Sequence, residues 1–452
     1  MHLNSNSQLC NSANRSPKRV FVDASYTLGK GLTGGVHRVV RNICHFTPKL
    51  LRSKGYIAVV RNHRFTHCDF KRTTFEKLSN VGALRANILA CMPRWYITVA
   101  EAICRVIRLR KLRQWLLPLP GHQGIFKFPL KALERLFQEC MRESNLGTDD
   151  LLILPDAYWA QQEFWPSVCD ARANGAFVVS VVYDLIPLTH PSFVTVGAPE
   201  LFKRYLHEVA HNSDMIVAIS DTVRDEIITT LPKLWPDANI CQDVRSFPLG
   251  AEFQKVSGHV RVEVKEVFHE DCRDNPYLMV ATFDPRKNHN YLLDAFEEIW
   301  KSEPSRKLCF IGRVGWCCDD IIERIHFHPK RGTHLFVFHD ISDSELSYCY
   351  QRARAICFPS ITEGFGLPIV EALWYGRYVF AADTPIHREV GKDECIYCNL
   401  DSPMDLANKI LFWERDKSSV SPARNSKQKP MDWESSIKCL LTHCLSGFGS
   451  HD

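Results

Sequence analysis

Two glutamates eight residues apart, Glu363 and Glu371, flank a Gly-Phe-Gly turn in the stretch Phe358-Pro-Ser-Ile-Thr-Glu363-Gly364-Phe365-Gly366-Leu367-Pro368-Ile369-Val370-Glu371-Ala372-Leu373. An apolar strand ends at Phe358. Pro368 stands where the first turn of a helix is expected, a place that tolerates its missing N–H. Backbone N–H groups at such a helix start can cradle a phosphate, and the glycines let that backbone come close. Carboxylates beside a diphosphate look contradictory until hydroxyls are considered. A carboxylate accepts hydrogen bonds, and two vicinal hydroxyls can share one. The combination therefore suggests a nucleotide sugar rather than a bare nucleotide, with both glutamates facing one strand-end crevice. The plainer alternative makes both glutamates helix N-terminal charges.

Three further segments add to this. Asp284-Pro285-Arg286-Lys287-Asn288-His289 follows the apolar run YLMVAT, and two adjacent cations at a strand end suit a diphosphate. A solvated basic turn is the bland reading of the same residues. Thr33-Gly34-Gly35-Val36-His37-Arg38 places a glycine pair ahead of a helical pattern, where backbone N–H groups can meet phosphate. Tyr183-Asp184 closes a strand before a Pro-bounded loop, at a cleft or as a buried Asp tying down that loop. The lone CxxC, Cys395 to Cys398, has no second ligand pair nearby and reads as a short strand.

The elements that must position these residues alternate along the chain. Residues 19–23, 56–61, 150–155, 176–183, 214–219, 243–248, 277–282, 307–311, 334–338, 354–358 and 377–381 read as short apolar strands. Helical patterns lie between them, such as Asn290–Trp300, Ser342–Arg354 and Pro368–Tyr375. Such alternation means an α/β fold with doubly wound parallel sheets. It restarts once, across the polar stretch 254–275. The expected layout is a disordered leader 1–18, a Rossmann-like domain 19–253 with a basic amphipathic insert at about 85–140, and a linker 254–275. A second Rossmann-like domain 276–430 and a C-terminal helix and tail 431–452, crossing back to the first domain, complete it.

Composition bounds the function classes. The 452 residues exceed one ordinary core, and 45% hydrophobic with 24% charged residues excludes a disordered chain, a collagen and a coiled-coil rod. No apolar run is long enough to cross a bilayer, and the first twenty residues lack the apolar centre of a signal peptide. The 18 cysteines are scattered and often sit inside apolar runs, as Cys104, Cys309 and Cys357 do. A reduced compartment is the simpler expectation. Residues 1–150 hold 25 Lys+Arg against 9 Asp+Glu, net +16, and the remaining residues carry −11. Within the basic half, residues 94–117 interleave Arg105, Arg108, Arg110, Lys111 and Arg113 with apolar residues at helical spacing. That suits an anionic membrane surface, or else a solvated helix face. Nucleic acid is not expected, because zinc-finger spacing and RNP-type aromatics are missing.

Taken together, these residues resemble the retaining GT-B glycosyltransferases of family GT4, also called group 1. The glutamate pair matches that family's E-x7-E signature in its EGFGLPIVEA form. FDPRKNHNYLLDAF resembles its PRKN segment, and GRVGW (312–316), ISDSEL (341–346), YDLIPLTHP, FPLGAEF (247–253) and TGGVHRV also fit. The likeness spans roughly residues 19–445, with a soft region at 62–148. Bacterial mannosyltransferases that build O-antigen and other surface polysaccharides are most alike.

The resemblance implies two Rossmann-like domains facing a central cleft. It implies a catalytic set of Glu363, Lys287, Arg286 and Asp184. Lys287, with Arg286, would neutralise the donor diphosphate. Glu363 would bind donor-sugar hydroxyls near the reacting carbon. Gly364, Phe365, Gly366 and Leu367 would offer backbone groups, Glu371 would hold the ribose hydroxyls, and Gly34 and Gly35 would close over the diphosphate.

It implies transfer of a hexose with retention, mannose from GDP-mannose, onto a lipid-linked surface glycan, at the inner face of the cytoplasmic membrane. No cofactor and no metal site are expected. Rhamnosyl, glucosyl or fucosyl transfer on the same fold is the alternative, and a weakly catalytic nucleotide-binding or membrane-surface scaffold is the alternative of another class. Two positions depart from the family pattern. Ala281-Thr282 stand where many members have Gly-Arg, and Tyr183 stands where many have histidine.

Overall fold

The computed structural model describes residues 15–30, 35–51, 54–61, 64–69, 142–156, 159, 164–236, 239–253, 258–270, 274–415 and 429–451. The basic segment 94–117, the insert at about 85–140, Gly34 and most of the leader lie outside these residues.

Among the described residues, one sheet has eight strands. They are β1 (Arg19–Asp23), β2 (Lys54–Arg61), β3 (Arg64–Asp69), β4 (Arg142–Glu143), β5 (Asp150–Leu154), β6 (Phe177–Val182), β7 (Met215–Ala218) and β8 (Val244–Ser246), in the order β4-β3-β2-β1-β5-β6-β7-β8. β1 runs parallel to both β2 and β5, and β5 runs parallel to β6. Every side chain of β5 and β6 is buried. That is why these strands read as unbroken apolar runs rather than alternating ones, since both faces of a parallel sheet are covered. β2–β3 and β3–β4 pair antiparallel, which extends the expected parallel sheet by a hairpin edge. Two residues join β2 to β3, too few for the crossover a parallel pair needs.

The second sheet has six strands, all paired parallel. They are β9 (Tyr277–Val280), β10 (Leu308–Ile311), β11 (Leu335–Phe338), β12 (Ile356–Phe358), β13 (Val379–Ala382) and β14 (Ile396–Cys398). Their order is β11-β10-β9-β12-β13-β14, a doubly wound arrangement. Strand periodicity sorts the core onto two faces. Tyr277, Met279, Phe310 and Phe380 pack with Phe296 and Trp413 of the helices His289–Ser302 and Pro403–Arg415. Leu278, Cys309, Ile311, Ile356, Phe358 and Val379 pack on the other face with Tyr350 and Ile369, from the helices Asp343–Arg352 and Leu367–Trp374. Cys309, Cys349, Cys357, Cys395 and Cys398 are buried free thiols. Burial pushes Cys395 and Cys398 up to about 12. The last three residues of the CxxC, Ile396–Cys398, form β14.

Compactness divides the chain into two units. One comprises Met1–Val181, His207–Ile216 and Leu441–Asp452, and the other Val182–Leu206 and Val217–Leu440.

Candidate functional site

The site lies wholly within the second unit and is set by strand order. β9 and β12 are neighbours, although β10 and β11 lie between them in sequence. The chain leaves this point in opposite directions, so the loops after β9 and after β12 border one crevice. Ligands of doubly wound folds bind at such a point. The loop after β9 carries Asp284, Arg286 and Lys287, in a turn of 3₁₀ helix over Pro285–Lys287. The loop after β12 carries Glu363.

These side chains meet. Arg286 Nη1 donates to Glu363 Oε2 at 2.7 Å and to the Thr362 carbonyl at 3.1 Å. Lys287 Nζ donates to Glu363 Oε1. The backbone N–H of Ile361 donates to the Arg286 carbonyl at 2.8 Å, tying the two loops together. Side-chain exposure is 18% for Arg286, 12% for Lys287 and 9% for Glu363, so the ion pairs are largely out of water. Burial works to raise the Glu363 pKa, but Arg286 and Lys287 prevail and hold it at about 2. Burial lowers Lys287, opposed by Glu363. For Arg286 burial also works downward, and Glu363, Asp284 and Asp184 together raise it.

Asp184 joins the group from the end of β6. Its Oδ1 accepts the Ile186 N–H at 3.0 Å, so it ties down its loop as well as facing the site. Burial pushes it up and Arg286 pulls it back. The four acid–base residues expected from sequence are therefore gathered in one place.

The Gly-Phe-Gly turn explains itself locally. A Cβ on Gly364 would run into the Tyr183 carbonyl oxygen, so the backbone comes closer there than any other residue allows. The Gly364 carbonyl accepts from Ser220 Oγ at 2.8 Å. Gly366 sits at φ +99° and ψ 51°, a left-handed conformation that caps the start of the Leu367–Trp374 helix. Phe365 is buried. Pro368 lies in the first helical turn, as its residue type requires. Glu371 is buried one turn inside this helix, 3% exposed. Gly35 opens the helix Gly35–Leu50 of the first unit.

Several residues escaped the sequence reading. Ser220, N-cap of the helix Asp221–Leu234, reaches Gly364 across 144 positions. His387 is fully buried, and its Nδ1 meets the Ala382 carbonyl at 3.0 Å. That contact places a proton on Nδ1 and leaves Nε2, which has no hydrogen-bond partner among the described residues, as an acceptor. Burial lowers the His387 pKa, and Glu363 acts against that. His289 stacks on Phe283 with ring centres 4.3 Å apart, and burial, then Lys287, takes it down to about 3. TPIHREV and RKNH are the local strings that carry these histidines. Nothing in either string marks its histidine as a neighbour of Glu363 or Lys287.

In the first unit, Thr27 N donates to Asp156 Oδ2 at 2.7 Å, and Thr27 Oγ1 lies 2.9 Å from His37 Nδ1. Asp23 is fully buried beside Asp156, and burial, then Asp156, pushes it well above the usual carboxylate range. This polar cluster at the ends of β1 and β5 was also unforeseen.

The two-sheet architecture is that of the GT-B glycosyltransferases. HepE from Anabaena, solved with UDP and glucose, superimposes with a TM-score of 0.57 at 13% identity, over 95% of this chain and 99% of that one. Sucrose-phosphate synthase from Thermosynechococcus elongatus superimposes with a TM-score of 0.50 at 14% identity, over 96% and 95%. At such identities the likeness is one of fold.

Residues 261–429 match the family model of glycosyl transferases group 1, and the matched stretch contains Arg286, Lys287, Glu363 and Glu371. The serotype-specific mannosyltransferase WbdA of Escherichia coli is 30% identical over 298 residues, 65% of this chain and 37% of WbdA. The O-antigen chain mannosyltransferase RfbU of Salmonella typhimurium is 24% identical over 247 residues, 54% of this chain and 63% of RfbU. The chain thus spans little more than a third of the first relative and under two thirds of the second. Among the described residues, no helix is long and apolar enough to cross a membrane.

Proposed function

We propose that this protein is a retaining glycosyltransferase that moves a hexose, mannose from GDP-mannose, onto a sugar hydroxyl of a growing surface polysaccharide or O-antigen. One observation carries the reading. Two cations and a carboxylate converge at the switch point of the second sheet, beside a helix that starts from a left-handed glycine. The cations suit a departing diphosphate, whose developing charge is the main thing such a site must stabilise. The Glu363 carboxylate is held ionised and is an acceptor for sugar hydroxyls. Glu371, deeper in the same helix, would hold the ribose hydroxyls. Asp184 lines the site from β6. The names of the relatives, a serotype-specific mannosyltransferase and an O-antigen chain mannosyltransferase, support mannose and a surface glycan.

No metal is required, since Lys287 and Arg286 supply the positive charge. A lipid-linked acceptor is met at the inner membrane face through residues 94–117. Reversing Arg105, Arg108 and Arg110 to glutamate should release the protein from anionic vesicles.

A thermal-shift screen against GDP, UDP, dTDP and ADP, each with and without its sugar, tests the donor. A ligand of the folded state alone raises the melting temperature by mass action. A shift with GDP and GDP-mannose supports the proposal. A shift confined to another nucleotide removes mannose and keeps glycosyl transfer. No shift with any of them removes the nucleotide-sugar reading.

A further inference from the structure

Asp284 opens the Pro285–Lys287 turn, yet no step of the proposed transfer uses it. Its side chain is 1% exposed. Neither carboxylate oxygen has a hydrogen-bond partner among the described residues. A buried carboxylate in that state is costly and persists only if it serves something. The cation nearest it is Arg286, whose Nε lies 3.7 Å from Asp284 Oδ1, close enough for charge attraction but long for a hydrogen bond; Lys287 attracts it as well.

The other nitrogens of Arg286 show what that attraction achieves. Nη1 is committed to Glu363 and to the Thr362 carbonyl. Nε faces Asp284. The guanidinium is planar, so two fixed edges fix the third. Nη2 makes no hydrogen bond among the described residues and is available to a ligand. The strand end ahead of the turn reads Ala281-Thr282 and offers no guanidinium of its own. Which way Arg286 points therefore decides whether a guanidinium reaches a phosphate here.

We propose that Asp284 is a positioning residue that orients the Arg286 guanidinium, so that Nη2 is presented to the donor diphosphate. This rests on the reading of Arg286 as a diphosphate ligand. Asp284 touches no ligand itself and acts through Arg286. Its burial without hydrogen bonds is a stability cost kept for binding, a common trade at functional sites.

The test is calorimetric titration of the full chain with GDP and with UDP, together with melting temperatures. Asp284→Asn keeps the shape and removes the charge. It should weaken nucleoside diphosphate binding by about tenfold or more, the size seen when the orienting partner of a metal ligand is removed. Its melting temperature should hold or rise, because an unsatisfied buried charge is gone; a merely structural role would lower it. In an Arg286→Gln background, Asp284→Asn should have no further effect on binding. Wild-type binding in Asp284→Asn, or losses that multiply in the double variant, would overturn the inference and leave the function proposal standing. No binding of either diphosphate by the wild-type chain would overturn both. Should Asp284→Asn fail to fold, Asp284→Glu and Asp284→Ser make the same comparison. The charged Glu variant should bind closer to wild type than Ser, and the reverse order would overturn the inference.

Discussion

Arg286 and Glu363 stand 77 positions apart in the chain and share a 2.7 Å hydrogen bond between Nη1 and Oε2. The other Glu363 oxygen accepts from Lys287. A single carboxylate is thus held by two cations in a site with little water. That arrangement sets both the ionisation of the site and its dependence on pH.

Glu363 should make the protein acid-labile. Its folded pKa of about 2 lies below the ordinary 4.5, so its stabilising contribution is fully present above 4.5 and is lost as pH falls from there toward 2. Glu363→Gln removes that contribution. Urea denaturation between about pH 5 and 3 should show the wild type losing more stability than the variant. Parallel losses would refute the pairing.

Lys287→Ala should cut turnover by well over tenfold, since a charge taken from a transition-state clamp typically costs about 3 kcal/mol or more. Lys287 also lies over the Phe358 ring, 5.8 Å from its centre, so part of its placement survives in Lys287→Met. If the charge is what matters, Met should be as inactive as Ala. The measurement is sugar release from the donor at saturating concentration.

The two glycines of the turn should fail for different reasons. Gly364→Ala sets a methyl against the Tyr183 carbonyl, a backbone atom that yields poorly, and should cost about 1–3 kcal/mol of stability. At Gly366 an added Cβ finds its nearest neighbours at 3.5 Å, so the cost is backbone strain alone. Gly366→Asn should then be better tolerated than Gly366→Val, because Asn visits left-handed conformations and a β-branched residue does not. At Gly364 no such preference for Asn should appear. Denaturant midpoints of Gly364→Ala, Gly364→Asn, Gly366→Asn and Gly366→Val decide.

Glu371→Ala should weaken nucleotide binding without changing which sugar is transferred. Calorimetric titration with the nucleoside diphosphate and the same nucleotide lacking its ribose 2′-hydroxyl checks this. Loss of the hydroxyl should matter in the wild type and not in the variant. Equal sensitivity in both would remove the ribose role.

Much of this was legible in the residues. Apolar runs such as FVVSVV mark buried parallel strands, because a strand covered on both faces has no reason to alternate. Pro368 after Gly366 marks a helix start. Glu363 beside two glycines marks the turn between a strand and that helix. The hairpin edge β3–β4 was not legible. Arg64–Asp69 is polar, and its pairing with β2 depends on a neighbour rather than on its own pattern. The Asp23–Asp156 and Ser220–Gly364 contacts were hidden for the same reason.

The sequence by itself determined the α/β class, most strand positions and the kinds of residue at the site. These follow from periodicity, turn chemistry and capping, which act over a few residues. The tertiary structure alone decided that β9 lies beside β12, and hence that Arg286 and Lys287 close on Glu363. It also decided that Asp184 completes the group, and that Asp284 is buried against Arg286 and Lys287. Strand order is a long-range outcome of packing, and no local pattern encodes which loop ends will share a crevice.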